Sequence, residues 1–307
     1  MKYRTLGRTG LSVSELGLGT VELGRDWGIP VPGEYGAPDE ESAMRLLSRA
    51  LELGVNFLDT ARYYGKSEER LGKFLKALGK DAARVHVATK VPMNKKEGLA
   101  AMRRQMAADL DNSLKALGRE PLDLVQLHSA RLEDIADSSA WEVLSAARQA
   151  GKLCFIGASF YDAPAAHAAV ESGAYDAIQP TYNLAMPQCG EVIDLAFEKQ
   201  VGVIVKTPLG KGMLSYKRAH AADAELLPSR RAADELKFLE RGDQTLPQAA
   251  VRYCLARPGV STVIAGTQRV KHLEENAEAV AGALDPEELA RIEELQKAGT
   301  FEGFEIP

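Results

Sequence analysis

Short β-branched and apolar runs alternate along the chain with longer stretches of helical period, from about residue 16 almost to the end. The runs fall at 16–20, 55–59, 85–90, 122–128, 154–159, 177–179, 202–206 and 262–265. Several are apolar throughout, the pattern of strands covered on both faces. Between them, 40–53, 67–78, 98–117, 141–150, 163–172, 189–199, 246–257 and 270–280 carry the apolar stripe of amphipathic helices. Gly54, Gly79, Gly118, Gly151 and Gly173 each follow such a stretch, where a left-handed cap favours glycine. Eight βα pairs predict a closed (β/α)8 TIM barrel, with 1–307 forming one domain, rather than a doubly wound sheet. A Rossmann unit is disfavoured further, because no Gly-x-Gly-x-x-Gly turn follows a strand.

Three segments stand outside the repeat. Residues 1–15 alternate around Gly7-Arg8-Thr9-Gly10 and predict an N-terminal β-hairpin closing the barrel floor. Residues 24–38 form a Gly/Pro-rich loop after the first strand, and 207–244 a long excursion after the seventh, helical around 232–240. Both leave the C-terminal ends of strands, where barrel loops build sites. An extra C-terminal helix is expected at 286–298, followed by a short flap at 301–307.

Composition narrows the class without changing it. Length alone permits one large barrel or two domains, so the order of elements decides. Hydrophobic residues at 45% and charged residues at 26% suit a folded globular chain. A formal charge of −5 gives no general attraction to nucleic acid or anionic lipid. The basic runs Lys217-Arg218 and Arg230-Arg231 read as solvated surface, or as a hold on an anionic cofactor. Cys154, Cys189 and Cys254 are odd in number and widely spaced, which suits buried thiols in a reducing compartment. The start has no apolar leader and no run approaches the roughly 20 residues of a membrane span, so a cytoplasmic protein is expected.

Chemistry enters at the strand ends. Asp59, Lys90 and His128 end the second, third and fourth runs, and Tyr64 lies five residues beyond Asp59. Neighbouring strands are about 4.8 Å apart, so these side chains can converge. Singly, each has an ordinary reading: a turn acceptor, a solvated lysine, a packing tyrosine, a core histidine. Jointly they make a proton-transfer site. A phenol has an ordinary pKa of about 10, and a nearby ammonium lowers it. Asp59 would hold Lys90 charged while tempering its effect on Tyr64, and His128 would orient a carbonyl or relay the proton.

The runs FLDTARYYG (57–65), VATK (87–90) and LDLVQLH (122–128) resemble the aldo-keto reductase family. The similarity extends through RTLGRTGLSVSELGLGT (4–20), PLGKGML (208–214) and LEEN (273–276). It implies that Asp59, Tyr64, Lys90 and His128 form the catalytic tetrad of an oxidoreductase, with Tyr64 as proton donor. It also implies NADP(H) across the barrel mouth, with NAD(H) left open. Ser159 and Gln179 then match residues on the nicotinamide carboxamide, and Gly19 and Thr20 a contact near its ribose. Thr207, Leu209 and Lys211 match the loop along the pyrophosphate. Gly266, Thr267, Gln268, Arg269, Glu275 and Asn276 cover the adenosine end, where the opening of a helix suits a phosphate. There the plainer reading is that Thr267 only caps the helix and Arg269 is solvated.

Two positions depart from the family pattern. Phe160 stands where an asparagine commonly follows the serine, and Lys206 stands where an aromatic ring often stacks on the nicotinamide. The expected reaction is reduction of a small-molecule aldehyde or ketone by NADPH. The alternatives are an NAD(P)-dependent sugar or alcohol dehydrogenase on the same fold, and a nicotinamide-binding regulatory subunit similar to those of potassium channels. A barrel isomerase or hydrolase without nicotinamide is the remaining rival. Trp27, Tyr35 and Phe301 are candidates for the pocket wall, or for loop anchors.

Overall fold

The computed structural model describes residues 1–32 and 36–306. An antiparallel hairpin, β1 (Tyr3–Thr5) and β2 (Ser12–Ser14), comes first. Eight parallel strands then close on themselves: β3 (Leu16–Gly19), β4 (Phe57–Asp59), β5 (His86–Val91), β6 (Leu122–Leu127), β7 (Leu153–Phe160), β8 (Ala177–Pro180), β9 (Gly202–Val205) and β10 (Thr262–Gly266). Strand β10 pairs back onto β3, completing the (β/α)8 barrel.

The crossover helices are α1 (Glu40–Glu52), α2 (Ser67–Leu78), α3 (Leu99–Leu117), the α4 (Leu132–Ala136) and α5 (Ser139–Gln149) pair, α6 (Ala163–Glu171) and α7 (Gly190–Glu198). After the excursion helix α8 (Leu227–Asp234) come α9 (Leu246–Ala256), α10 (Val270–Ala279) and the extra C-terminal α11 (Pro286–Lys297). Each strand and crossover helix read from the sequence has its counterpart. Strand β4 begins two residues later than the run at 55–59, because the Val55 amide donates to Ala50 at 2.9 Å and finishes the preceding helix.

Two expectations are corrected, and one helix is additional. The helix of the excursion is α8, earlier than 232–240, because Pro228 in its first turn preorganises a start there. Beyond it the chain tightens into a 3-10 turn at Lys237–Leu239. Helix α4 is too short to show a periodic stripe; it is held by Asp134, whose carboxylate accepts from the Arg131 amide at 2.9 Å. Cys189 and Cys254 are buried, but Cys154 is exposed near the start of β7. All three are free thiols.

Alternation along the strands fills the barrel in layers. Phe57, Ala88, Leu124, Ala177, Ile204 and Ile264 form one buried cluster with Leu6 and Val13 of the hairpin, which closes the lower end. The next inward residues on these strands are Asp59, Lys90, Gln126, Gln179, Lys206 and Gly266. Apolar side chains of opposite parity, such as Leu58, Val87, Val125, Phe160 and Val205, pack in the separate outer core against the helices. The same alternation thus builds an apolar plug, a polar layer above it and an outer core.

Candidate active site

Above the plug the polar layer opens into a cleft. Asp59, Tyr64, Lys90 and His128 all line it, together with Ser159, Gln179 and Lys206. Asp59 is the hub. Its carboxylate accepts from the Lys90 ammonium, from Gln179 at 2.7 Å and from Gln126 at 3.3 Å. Lys90 also donates to the Thr60 carbonyl at 3.1 Å. Asp59 and Lys90 are almost fully buried, so their mutual contact and these extra donors must offset the loss of hydration. Gln126 went unnoticed in the sequence because it sits inside an apolar run; its parity, two residues before His128, is the signal that finds it.

Tyr64 reaches the hub from the loop after β4. Its ring centroid is 5.2 Å from the Lys90 ammonium and 5.7 Å from the His128 ring, edge to face at 80°. Backbone contacts fix the loop. The Tyr64 amide donates to Ala61, and the Tyr64 carbonyl accepts from the Ser67 amide, each at 3.0 Å. The Ser67 hydroxyl at the start of α2 also meets those of Thr20 at 2.7 Å and Thr60 at 2.9 Å. Thr20 bonds the Asp59 carbonyl through its amide and its hydroxyl.

The charges sort the protons. Burial raises the Tyr64 phenol above its ordinary value; Lys90 pulls it down, but Asp59 adds to the rise, so Tyr64 keeps its proton at neutral pH. The ammonium therefore tempers the effect of burial without reversing it, contrary to the simple expectation of a depressed phenol. Burial works against the charge on Lys90, yet Asp59 and then Tyr64 bring it to a net rise. His128 is driven down to about 3 by burial, then by Lys90 and Lys206, and is neutral. Its Nδ1 is buried without a hydrogen-bond partner among the described residues.

The two departures resolve by parity. Phe160 points outward into the core and is fully buried there. Lys206 points inward, and its ammonium lies 3.3 Å from the centroid of the Tyr161 ring. Tyr161 itself lines the cleft and was not anticipated. Burial first, then Lys90, lowers Lys206 to about 7.

The remaining expected cofactor residues surround the same cleft with two exceptions. Gly19, Thr20, Thr207, Leu209, Lys211, Gly266, Thr267, Glu275 and Asn276 line it; Gln268 and Arg269 do not. Gln268 borders a small neighbouring recess with Arg25 and Trp27, and Arg269 is exposed at the start of α10. Thr267 does not cap α10: its hydroxyl accepts from the Arg269 amide at 3.1 Å in a turn, and the helix has no side-chain cap. Of the basic runs, Lys217 lines the cleft and pairs with Glu22 at 3.1 Å, while Arg218 is buried against Asp234 and Glu240. Trp27 lines the cleft and carries Lys211 at 4.7 Å over its ring. Phe301 instead anchors the tail against Phe304, and Tyr35 lies outside the described residues.

The cleft suits a dinucleotide by its own chemistry. The uncapped start of α10 and two cationic side chains, Lys211 and Lys217, stand at one side. At the floor, Gln179 spends its amide nitrogen on Asp59, leaving its carbonyl oxygen for a ligand amide. Ser159 accepts from the Ser129 amide at 2.8 Å and makes only a long bond, 3.4 Å, to Leu127. Among the described residues no cluster of His, Cys, Asp or Glu could hold a metal ion, and no helix is long and apolar enough to cross a membrane.

Comparison with known proteins agrees with this geometry. The model of the Aldo/keto reductase family matches residues 15–297. L-galactose dehydrogenase of Arabidopsis thaliana is 30% identical, covering 96% of this chain and 94% of that protein. A putative voltage-gated potassium channel subunit beta of Schizosaccharomyces pombe is 29% identical, over 95% and 92%. The holo form of an aldo-keto reductase from Bacillus halodurans superposes with a TM-score of 0.79 at 28% identity, over 96% of both chains.

Proposed function

The chain belongs to the aldo/keto reductase family of NAD(P)H-dependent oxidoreductases, and from that premise we propose that it reduces an aldehyde or ketone with NADPH, using Tyr64 as the proton donor. The observation that carries the reading is the convergence of Tyr64, His128 and the Lys90–Asp59 pair on the floor of one cleft. NADPH, when bound, supplies the hydride for the carbonyl carbon. His128, neutral, hydrogen-bonds the carbonyl oxygen and holds it beside the phenol. Tyr64 then gives its proton to that oxygen as negative charge develops there. Lys90 stabilises the phenolate left behind, and Asp59 keeps Lys90 charged and oriented. Gln179 and Ser159 hold the carboxamide of the nicotinamide, with Gly19 and Thr20 near its ribose. Thr207, Leu209 and Lys211 follow the pyrophosphate.

The start of α10 supports NADP(H) over NAD(H), because its helix amides, with the exposed Arg269 at the edge of the cleft and Gln268 in the neighbouring recess, offer positive charge to a 2′-phosphate, while Glu275 and Asn276 line the cleft where the adenosine would lie. Direction follows from the phenol. A tyrosine that keeps its proton at neutral pH serves the reduction, whereas oxidation of an alcohol needs the phenolate and gains with rising pH. The L-galactose dehydrogenase relative supports that second reading, sugar oxidation on the same site.

The test is a screen of NADPH consumption over aldehydes, ketones, quinones and sugars, with rates in both directions at neutral and alkaline pH. Tyr64→Phe should lose roughly 100-fold or more in turnover while NADPH binding is retained. Wild-type turnover in that variant would refute the proton donor. Tight NADPH binding without turnover on any substrate would favour a regulatory subunit, as the potassium-channel relative suggests.

A further inference from the structure

Lys206 is an unusual residue to find at the floor of this cleft. It is buried, and no carboxylate lies within ion-pair distance of it among the described residues. Asp59 is taken by Lys90 and Glu22 by Lys217; the Lys206 ammonium has instead the face of Tyr161. Its inward parity on the β9 edge is that of Asp59, Lys90 and Gln179.

On the reading proposed above, the reacting carbon of the nicotinamide must come within bonding approach of a carbonyl held by Tyr64 and His128. The phosphates belong at the far side, near α10, Lys211 and Lys217. Lys206 and Lys90 repel one another and Lys206 also acts on His128, so its ammonium stands beside the place where that carbonyl is held. A nicotinamide ring that reaches the carbonyl therefore comes to rest in the field of the Lys206 ammonium. The oxidised ring is a cation and the reduced ring is neutral, so one redox state is repelled and the other is not.

We propose that Lys206 makes this site discriminate between the redox states of its cofactor, binding NADPH more tightly than NADP⁺. Release of NADP⁺ after each reduction is thereby accelerated. The charged form of Lys206 within about 8 Å of the ring, at an effective dielectric of about 20, gives at least about a tenfold preference. The same tenfold is about 30 mV in the potential of the bound two-electron couple.

The discrimination depends on pH. Lys90 on β5 and Lys211 in the loop after β9 press on Lys206, while Asp59 on β4 and Cys189 before α7 favour its charge. Tyr161 after β7 contributes its ring face, and His128 on the β6 edge is neutral. With burial, these hold Lys206 at about 7. It is charged below that value, where NADP⁺ is repelled, and neutral above it, where the preference fades.

The experiment is titration calorimetry of NADPH and of NADP⁺ at pH 6 and pH 9, on the wild type, Lys206→Met and Lys206→Arg. The ratio of the two dissociation constants cancels the titration of the 2′-phosphate, which both nucleotides carry. In the wild type the ratio should approach about tenfold at pH 6, the ceiling set by a lysine that can shed its proton at about 7, and fall toward unity at pH 9. Lys206→Met should bind both nucleotides nearly equally at both pH values. Lys206→Arg, charged throughout, should keep the preference at both, and shows that a folded cleft with a permanent cation behaves as stated. If Lys206→Met keeps the wild-type ratio and its pH dependence, the inference is overturned while the proposed function stands. If the wild type binds neither nucleotide, both fall.

Discussion

At the scale of single residues, the floor of the cleft is organised by one carboxylate. Asp59 carries three side-chain donors, and the nearest of them is a buried ammonium. Removing one charge of such a pair strands the other in a poor dielectric, at a cost of about 3–5 kcal/mol. Asp59→Asn and Lys90→Met should each lower the denaturation midpoint accordingly, and the double variant should recover part of the loss. Full additivity in a chemical-denaturation cycle would show the two do not interact. His128 supplies a pH signature. In the unfolded chain a histidine takes its proton near 6.5, whereas in the barrel His128 resists until about 3. Between these values the unfolded state binds the more protons, so stability through this residue is complete above about 6.5 and is lost as pH falls toward 3. His128→Asn should therefore show a shallower fall in melting temperature between pH 7 and pH 4 than the wild type. An equal slope would mean that the imidazole is protonated in the folded protein.

At the scale of elements, the site is made by loops that touch backbone to backbone. Gly24, after β3, lies so close to the loop after β4 that a β-carbon there would overlap the Tyr64 carbonyl oxygen. Gly65, at φ +53°, would overlap the Gly24 carbonyl in turn. Arg70 of α2 staples the same region by donating to the carbonyls of Leu23 and Pro38. Gly24→Ala should displace the Tyr64 loop and cut turnover at least about tenfold, since small misplacements of reacting groups are costly. NADPH binding should change much less. Equal losses in both would place the damage in the cleft as a whole, not in the loop. The strand ends were legible because an ionisable residue stands out after an apolar run, as Asp59, Lys90 and His128 do. Glu22, Tyr161 and Trp27 were harder to assign, since their roles rest on partners distant in sequence or on a ring arriving from another strand. Glu22 meets Lys217 and Trp27 meets Lys211, pairings with no local period to reveal them.

At the scale of the molecule, the alternation of strands separates stability from chemistry along the barrel axis. Eight βα repeats were legible because short apolar runs alternate with longer stretches of helical period, and long-range closure follows from their number. The identity of the inward layer was less so, because strands buried on both faces hide their parity; the plug of Phe57, Leu124 and Ile204 reveals it only once the sheet is closed. The hairpin belongs to that plug. Leu6 is fully buried in it, and Arg8 donates its amide to the Gln200 carbonyl at 2.6 Å, tying the floor to the edge of β9. Leu6→Ala should leave a cavity and cost about 2–5 kcal/mol of stability. The polar layer stands above the plug and takes none of its contacts from Leu6. Turnover and the NADPH dissociation constant of Leu6→Ala should therefore match the wild type at a temperature where both are folded. A large loss of turnover in a folded Leu6→Ala protein would mean that the floor and the mouth are mechanically coupled, and that the barrel does not divide its labour by layer.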